Sequence, residues 1–290
     1  DSKGFSFSFL KERKAPAHGN RESCIAHMNL PPILYEDKYV FVFDKPAGLM
    51  VHPDGRTKKI TLSDLLAREY PELNKVGEPL TSKKDEGSDD DSTQILRPGI
   101  VHRLDQETSG CLIVAKTQKS FLFLKDQFKN HEIHKEYHAF VWGWPSREFG
   151  EINSPIGRSK SDFRRWSSGR GTRGELREAI THYRVLKKFN IDIGESIKQK
   201  DGKSFSYMAL FPKTGRTHQL RVHMKYLNHP IVGDSLYGGS REMALGFKRL
   251  ALHARKITFK TPDGKEHQIE APFPIDFKRT LQKHNSHAKV

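Results

Sequence analysis

One stretch gathers side chains able to do chemistry: Ile100-Val-His-Arg-Leu-Asp-Gln-Glu-Thr-Ser-Gly110, followed at once by the apolar run Cys111-Leu-Ile-Val-Ala115. Apolar residues on either side of a polar turn closed by Ser109-Gly110 would display Arg103, Asp105 and Glu107 at the end of a strand. A carboxylate held on a rigid strand end beside an arginine stays ionised and can act as a nucleophile or a base. The competing reading is a turn aspartate capping its own backbone, with Arg103 a surface charge, and composition alone ranks that reading first. A second group, Lys213-Thr-Gly-Arg-Thr-His-Gln-Leu-Arg-Val-His-Met224, ends a strand at Gly215 and opens a helix with Thr217 as its expected cap. Its Arg216, His218, Gln219, Arg221 and His223 suit phosphates or a base edge, and the arginines equally suit structural ion pairs. In the third group, Lys135-Glu-Tyr-His-Ala-Phe-Val-Trp-Gly143, alternation puts Tyr137, Ala139 and Val141 on one strand face. A tyrosine in that setting is more often core, but it is also the residue to expect where a flipped pyrimidine must stack.

Other chemistries find less support. His131, His134 and His138 fall in a segment that reads as loop into strand and lacks a further ligand, so zinc is not expected. Asp105 and Glu107 sit on one turn, whereas glycosidase carboxylates flank the scissile bond roughly 5 to 9.5 Å apart. No run of acidic residues suggests a two-metal nuclease, and no glycine-rich loop with a following Lys-Ser/Thr suggests nucleotide hydrolysis. Cys24 and Cys111 are the two cysteines of the chain, far apart and without partners at metal-ligand spacing, which points to a reducing compartment. Lys and Arg number 50 against 35 Asp and Glu, a formal net charge of +15 over 290 residues, which favours a polyanionic partner, nucleic acid first. No stretch approaches the roughly 20 apolar residues that a membrane-spanning helix needs, so no membrane partner is expected.

The elements that must carry these groups read as α+β, with a mostly antiparallel central sheet and flanking helices and loops. Ile33–Tyr35 and Tyr39–Phe43 form a strand pair around a turn at residues 36–38, stopped by Lys45-Pro-Ala-Gly48. Further strands are expected over 181–186, 204–211 and 256–260, and helices over 61–68 (capped by Thr61 or Ser63), 118–129 and 217–227. Residues 1–30, with alternating Phe5, Phe7 and Phe9, form an extended lead-in, residues 31–276 one catalytic domain, and residues 277–290 a basic C-terminal tail. Two insertions look disordered. The segment 74–97 has a core, Ser82–Thr93, with no apolar residue, and the Arg/Ser/Gly-rich segment 158–174 orders on nucleic acid or stays a solvated loop.

Taken together, these segments resemble the RluA-type pseudouridine synthases. Asp44-Lys-Pro-Ala-Gly48 and Val51-His-Pro53 look like the family's first motif, and His102-Arg-Leu-Asp-Gln-Glu-Thr-Ser-Gly110 matches its His-Arg-Leu-Asp-x-x-Thr-Ser-Gly signature at every fixed position. Lys135-Glu-Tyr137, Pro155-Ile-Gly-Arg158, Ala179-Ile-Thr-His-Tyr183, Gly215-Arg-Thr-His-Gln-Leu-Arg221 and His229-Pro-Ile-Val-Gly-Asp234 follow in the family's order. The resemblance implies isomerisation of RNA uridine to pseudouridine without cofactor or metal, the carboxylate either attacking the ribose or removing a ribose proton. It makes Asp105 the catalytic carboxylate, Tyr137 the stacking ring and Arg221 the partner of Asp105. Arg103 would help displace the nucleotide, and Lys45, His102, Arg216, His218 and Gln219 would bind substrate or RNA. Many relatives carry a small RNA-binding domain ahead of the catalytic one, and residues 1–30 do not resemble it. Ribosomal RNA, as a large-subunit precursor, is the expected partner. A targeting segment upstream of Asp1 would make the setting mitochondrial, with cytoplasm or nucleus as alternatives. The rival functions are a catalytically dispensable RNA-binding ribosome-assembly factor on the same fold and a nucleoside hydrolase that would release uracil.

Overall fold

The computed structural model describes residues 28–53, 57–80, 95–169, 171–191, 204–241 and 243–285. The lead-in through residue 27 and the polar core of the acidic insertion lie outside them. Strands β1 (Ile33–Glu36), β2 (Val40–Lys45), β5 (Ser109–Ala115), β6 (His134–Trp142), β7 (Phe149–Asn153), β11 (Ile180–Asn190), β12 (Ser204–Pro212), β13 (Leu252–Lys260) and β14 (Glu266–Glu270) form one sheet. Its order is β1-β2-β5-β13-β6-β12-β11-β7, with β14 also on β13. Short strands β3 (Pro79–Leu80) and β4 (Ile95–Leu96) pair with each other, and β8 (Ile156–Ser159), β9 (Trp166–Ser168) and β10 (Thr172–Arg177) make a separate small sheet. Every named strand pair is antiparallel except β5 with β13, where His253 faces Ser109 and Ala254 faces Gly110. The mostly antiparallel α+β architecture agrees with the sequence expectation.

β5 is buried along its whole length, as its unbroken apolar run requires, whereas β11 alternates buried and half-buried residues over Ile180, Thr181, His182 and Tyr183. Gly110 is demanded by the parallel junction: its φ is +111°, and a Cβ there would fall on the Ala254 carbonyl. Two apolar clusters sit on either side of that junction. One joins β2 and β5 to helix α1 (Leu62–Glu69), and the other joins β6 and β12 to helix α3 (Gln219–Tyr226) and helix α4 (Ile275–Asn285). Thr61 caps α1 with a capping box to Asp64, and α2 (Gln118–Lys129) spans the expected residues with Thr117 as cap.

Three expectations need correction. About half of residues 158–174 lies in the strands of the small sheet, held by the β8–β9 and β8–β10 ladders and anchored where Ile156 packs with Ala179, Val222 and Tyr237. Its Arg, Ser and Gly content hid backbone pairing that needs no apolar alternation. Residues 277–285 are not tail but belong to α4, where Phe277, Thr280 and His284 face inward at helical spacing while Lys278, Arg279 and Lys283 are exposed. The basic residues dominated the sequence signal because they occupy the outer face. Finally, α3 starts with His218 at its N-cap rather than Thr217, and no side chain caps it.

Candidate active site

Asp105 lies on the turn that leads into β5, and backbone and side-chain bonds fix that turn to the loop after β2. Gly48 N–H donates to the Gln106 carbonyl at 2.8 Å, and the Gln106 amide donates to the Gly48 carbonyl at 3.0 Å. Beneath them Lys45, fully enclosed, donates to the carbonyls of Pro46 (2.9 Å), Leu49 (2.8 Å) and Gln106 (3.1 Å). Burial pushes the Lys45 ammonium down to about 7, while Asp105 partly opposes that shift. Lys45 is therefore a clamp under the reactive turn and has no exposed surface to offer RNA.

From the opposite side, α3 brings Arg221. Its Nε and Nη2 form a two-pronged pair with Asp234, at 2.8 and 2.7 Å, and its Nη1 reaches Asp105 Oδ2 at 3.3 Å. The Asp234 side chain is wholly buried and also accepts the backbone N–H groups of Leu236 and Tyr237, each at 3.0 Å. The Tyr237 ring lies under the guanidinium, 5.1 Å from its centroid. Burial alone would lower the arginine pKa, but the hydrogen-bonded Asp234 more than reverses this, so Arg221 stays charged. The expected Asp105–Arg221 pair is present, with Asp234 as the stronger anchor.

Tyr137 sits on β6 between Ala254 of β13 and Leu210 of β12, half-buried at the seam where both apolar clusters touch it. Burial, then the nearby Asp105 charge, raises its phenol pKa, so the ring is a neutral wall of the site. Together with Asp105, Arg221, His218 and Arg103 it lines a cavity of about 570 Å³, a volume suited to a nucleoside-sized ligand. Arg103 is exposed at this cavity and has no carboxylate partner among the described residues.

The other expected binding residues divide. Arg216 lines the cavity, although its Nε donates to the Glu178 carbonyl at 2.9 Å. Gln219 is almost fully buried, and its amide bonds Thr214, Arg216 N, Ile180 O and Thr181, so it ties α3 to β11 rather than reading a base. His102 accepts the Ile113 N–H at 2.9 Å and stacks on Phe128, and burial drops its pKa to about 3. As a neutral ring it braces the approach to Asp105 against β5, and it also lines the cavity. Sequence reasoning passed over Asp234 as a partner, although it closes the last motif quoted above, and it passed over His52 and Arg97, which line the cavity beside Arg103. Burial lowers the His52 pKa to about 3, and the charges of Arg97 and Arg103 add to this. His52 stands in the Val51-His-Pro53 motif, which was its one signal, and nothing in the local sequence around Arg97 signals a cavity wall.

A carboxyl group paired to an arginine, a neutral aromatic ring and a rim of cations thus converge on a space of nucleoside size, and comparison with known proteins agrees with that arrangement. A model of the family described as RNA pseudouridylate synthase matches residues 39–226. The ribosomal large subunit pseudouridine synthase D of Borreliella burgdorferi is 38% identical over 255 residues, covering 88% of this chain and 69% of that protein. Its namesake from Zymomonas mobilis is 35% identical over 255 residues, covering 84% of this chain and 69% of that protein. Among solved structures, human RNA pseudouridylate synthase domain containing 1 superposes with a TM-score of 0.63 at 25% identity, covering 89% of this chain and 87% of that one.

Proposed function

The chain belongs to the RNA pseudouridylate synthase family, and from that premise we propose that its target uridine lies in ribosomal RNA of the large subunit, encountered in a subunit precursor. As an RNA pseudouridine synthase it converts uridine to an isomer: the N1–C1′ bond breaks, a C5–C1′ bond forms, C5 loses its hydrogen and N1 gains one. The ribosomal target is supported by the names of the relatives just described and by the +15 charge, which suits a long phosphate backbone.

The observation that carries the assignment of roles is Asp105 Oδ2 held 3.3 Å from the Arg221 guanidinium in a cavity walled by Tyr137. Asp105 acts on the ribose as nucleophile or base, Arg221 keeps it aimed, and Tyr137 stacks on the extruded uracil. Arg103 meets the phosphate of the displaced nucleotide, compensating part of the cost of unstacking it. A catalytically dispensable scaffold is not favoured, since relatives 35% and 38% identical to this chain are named as synthases. The proposal extends to the mitochondrial setting expected above, which cell fractionation with a tagged chain tests. Mapping pseudouridine across ribosomal RNA in cells with and without the protein tests the target. Loss of one or a few large-subunit positions supports it, and an unchanged ribosomal map with losses in another RNA class overturns it.

A further inference from the structure

Beside Asp105 stands an imidazole with a defined hydrogen-bond chain behind it. His218 Nε2 lies 4.0 Å from Asp105 Oδ2, and His218 Nδ1 lies 2.9 Å from the Tyr237 hydroxyl. That hydroxyl accepts the backbone N–H of Trp166, in β9 of the small sheet, at 2.9 Å. The His218 and Tyr237 rings meet edge to face with centroids 5.7 Å apart. A tyrosine hydroxyl has one proton to give. Its oxygen already receives the Trp166 N–H, and among the described residues His218 Nδ1, 2.9 Å away, is the atom in reach that can take its proton. A neutral imidazole that accepts at Nδ1 carries its hydrogen on Nε2, the nitrogen that faces Asp105.

The backbone points the same way. His218 has φ +56° at the N-cap of α3 and makes no side-chain capping bond. A non-glycine residue there is strained, and Ser, Asp or Asn would start the helix better. The residue is explained by where its ring goes. Burial lowers the His218 pKa, with Asp105 opposing, so the ring is neutral near pH 7. The charged groups around it are Asp105, Arg221, Asp234 and Arg103.

We propose that His218 is a positioning residue for Asp105, presenting Nε2–H to the carboxylate in a tautomer fixed by the Tyr237 hydroxyl. The inference rests on the catalytic reading of Asp105 and replaces the expected RNA contact for His218. Arg221 and His218 both address Oδ2, which leaves Oδ1 as the oxygen free to meet the ribose. At 4.0 Å the His218 contact is longer than a hydrogen bond, and it closes when substrate fills the cavity, as active-site bonds commonly do. Because the chain begins at Trp166, the seating of the small sheet against Tyr237 sets the orientation of a group at the reacting carboxylate.

Three variants and one spectrum test this. Tyr237→Phe keeps the ring under Arg221 and removes only the proton that fixes the imidazole. His218→Asn leaves a polar group near the Nδ1 position, and His218→Gln carries an amide N–H towards the Nε2 position. Tyr237→Phe and His218→Asn should lower the single-turnover rate about tenfold or more while RNA affinity stays within about twofold, the pattern of a group that acts only after binding. His218→Gln should recover part of that loss. In wild-type protein labelled with ¹⁵N-histidine, the His218 signal, identified by its loss in His218→Gln, should show a bare Nδ1 and a protonated Nε2. A proton on Nδ1 overturns the proposal, as do variants that weaken RNA binding but leave the bound rate intact. Should Tyr237→Phe fail to fold, the wild-type spectrum decides alone. The spectrum needs no turnover, so an inactive wild type would count against the proposed function and not against this link.

Discussion

Lys45→Met separates a clamp under the reactive turn from an RNA contact. The ammonium donates to three carbonyls, and the Gln106 carbonyl keeps a second donor in Gly48 N–H, so the substitution strips the Pro46 and Leu49 carbonyls. The buried Leu49 carbonyl left without a donor costs about 1–3 kcal/mol, and the Pro46 carbonyl, on an exposed residue, costs less. Against this stands the burial of the charge, which lowers the Lys45 pKa from 10.5 to about 7. In the unfolded chain the lysine keeps its proton up to about pH 10.4, whereas in the folded protein it loses it above about 7. Between those values the unfolded state binds more protons, so wild-type stability rises with pH across the window, and below it this group adds no further change. From pH 6 to pH 9 the rise is about 3 kcal/mol. The neutral amine still carries two N–H donors for the carbonyls, and methionine has no proton to exchange. The stability gap between wild type and Lys45→Met should therefore widen by about 3 kcal/mol from pH 6 to pH 9 in urea denaturation. The single-turnover rate should fall because the Asp105 turn loses its support, with RNA affinity unchanged. A gap independent of pH, or weaker RNA binding with a shallower salt dependence, would refute the clamp.

Tyr137→Phe should keep most RNA affinity and turnover, and Tyr137→Leu should lose about 1–3 kcal/mol of binding to the extruded base and turn over more slowly. A lowered melting temperature with an unchanged single-turnover rate would make the ring core only. Gly110→Ala, at φ +111° with the Ala254 carbonyl in the way, should destabilise by upwards of about 2 kcal/mol in urea unfolding, and an unchanged midpoint would contradict the tight β5–β13 junction. Burial pushes the Cys111 thiol up to about 12, so peptide mapping after alkylation at pH 8 should find it modified only in unfolded protein.

Elements with a strong local pattern were legible in the sequence. The apolar run after Ser109-Gly110 reads as a buried strand, the Thr61 capping box starts α1, and the turn ahead of β5 displays Asp105. Tyr137 could be put on a strand but not at the seam of two cores, because that seam is formed by β13, more than a hundred residues on. The resemblance put Lys45 among the RNA-binding residues, and only the loop folding over it supplies the three carbonyls that enclose it. The small sheet was invisible because its order comes from backbone ladders through Arg/Ser/Gly-rich sequence, and the basic face of α4 masked the inward Phe277, Thr280 and His284. The link from Trp166 through Tyr237 to His218 joins three separate segments, and no local spacing announces it.

The central claim, that the Asp105 carboxylate carries the isomerisation, is tested most directly with RNA containing uridine tritiated at C5. Forming the C5–C1′ bond expels that hydrogen, so tritium released to water in a single turnover counts product. Asp105→Asn should fold normally, because Arg221 keeps its two-pronged pair with Asp234, and it should bind RNA as wild type does. The account predicts no tritium release from Asp105→Asn under conditions where wild type releases it fully. Release by the variant at the wild-type rate would contradict it.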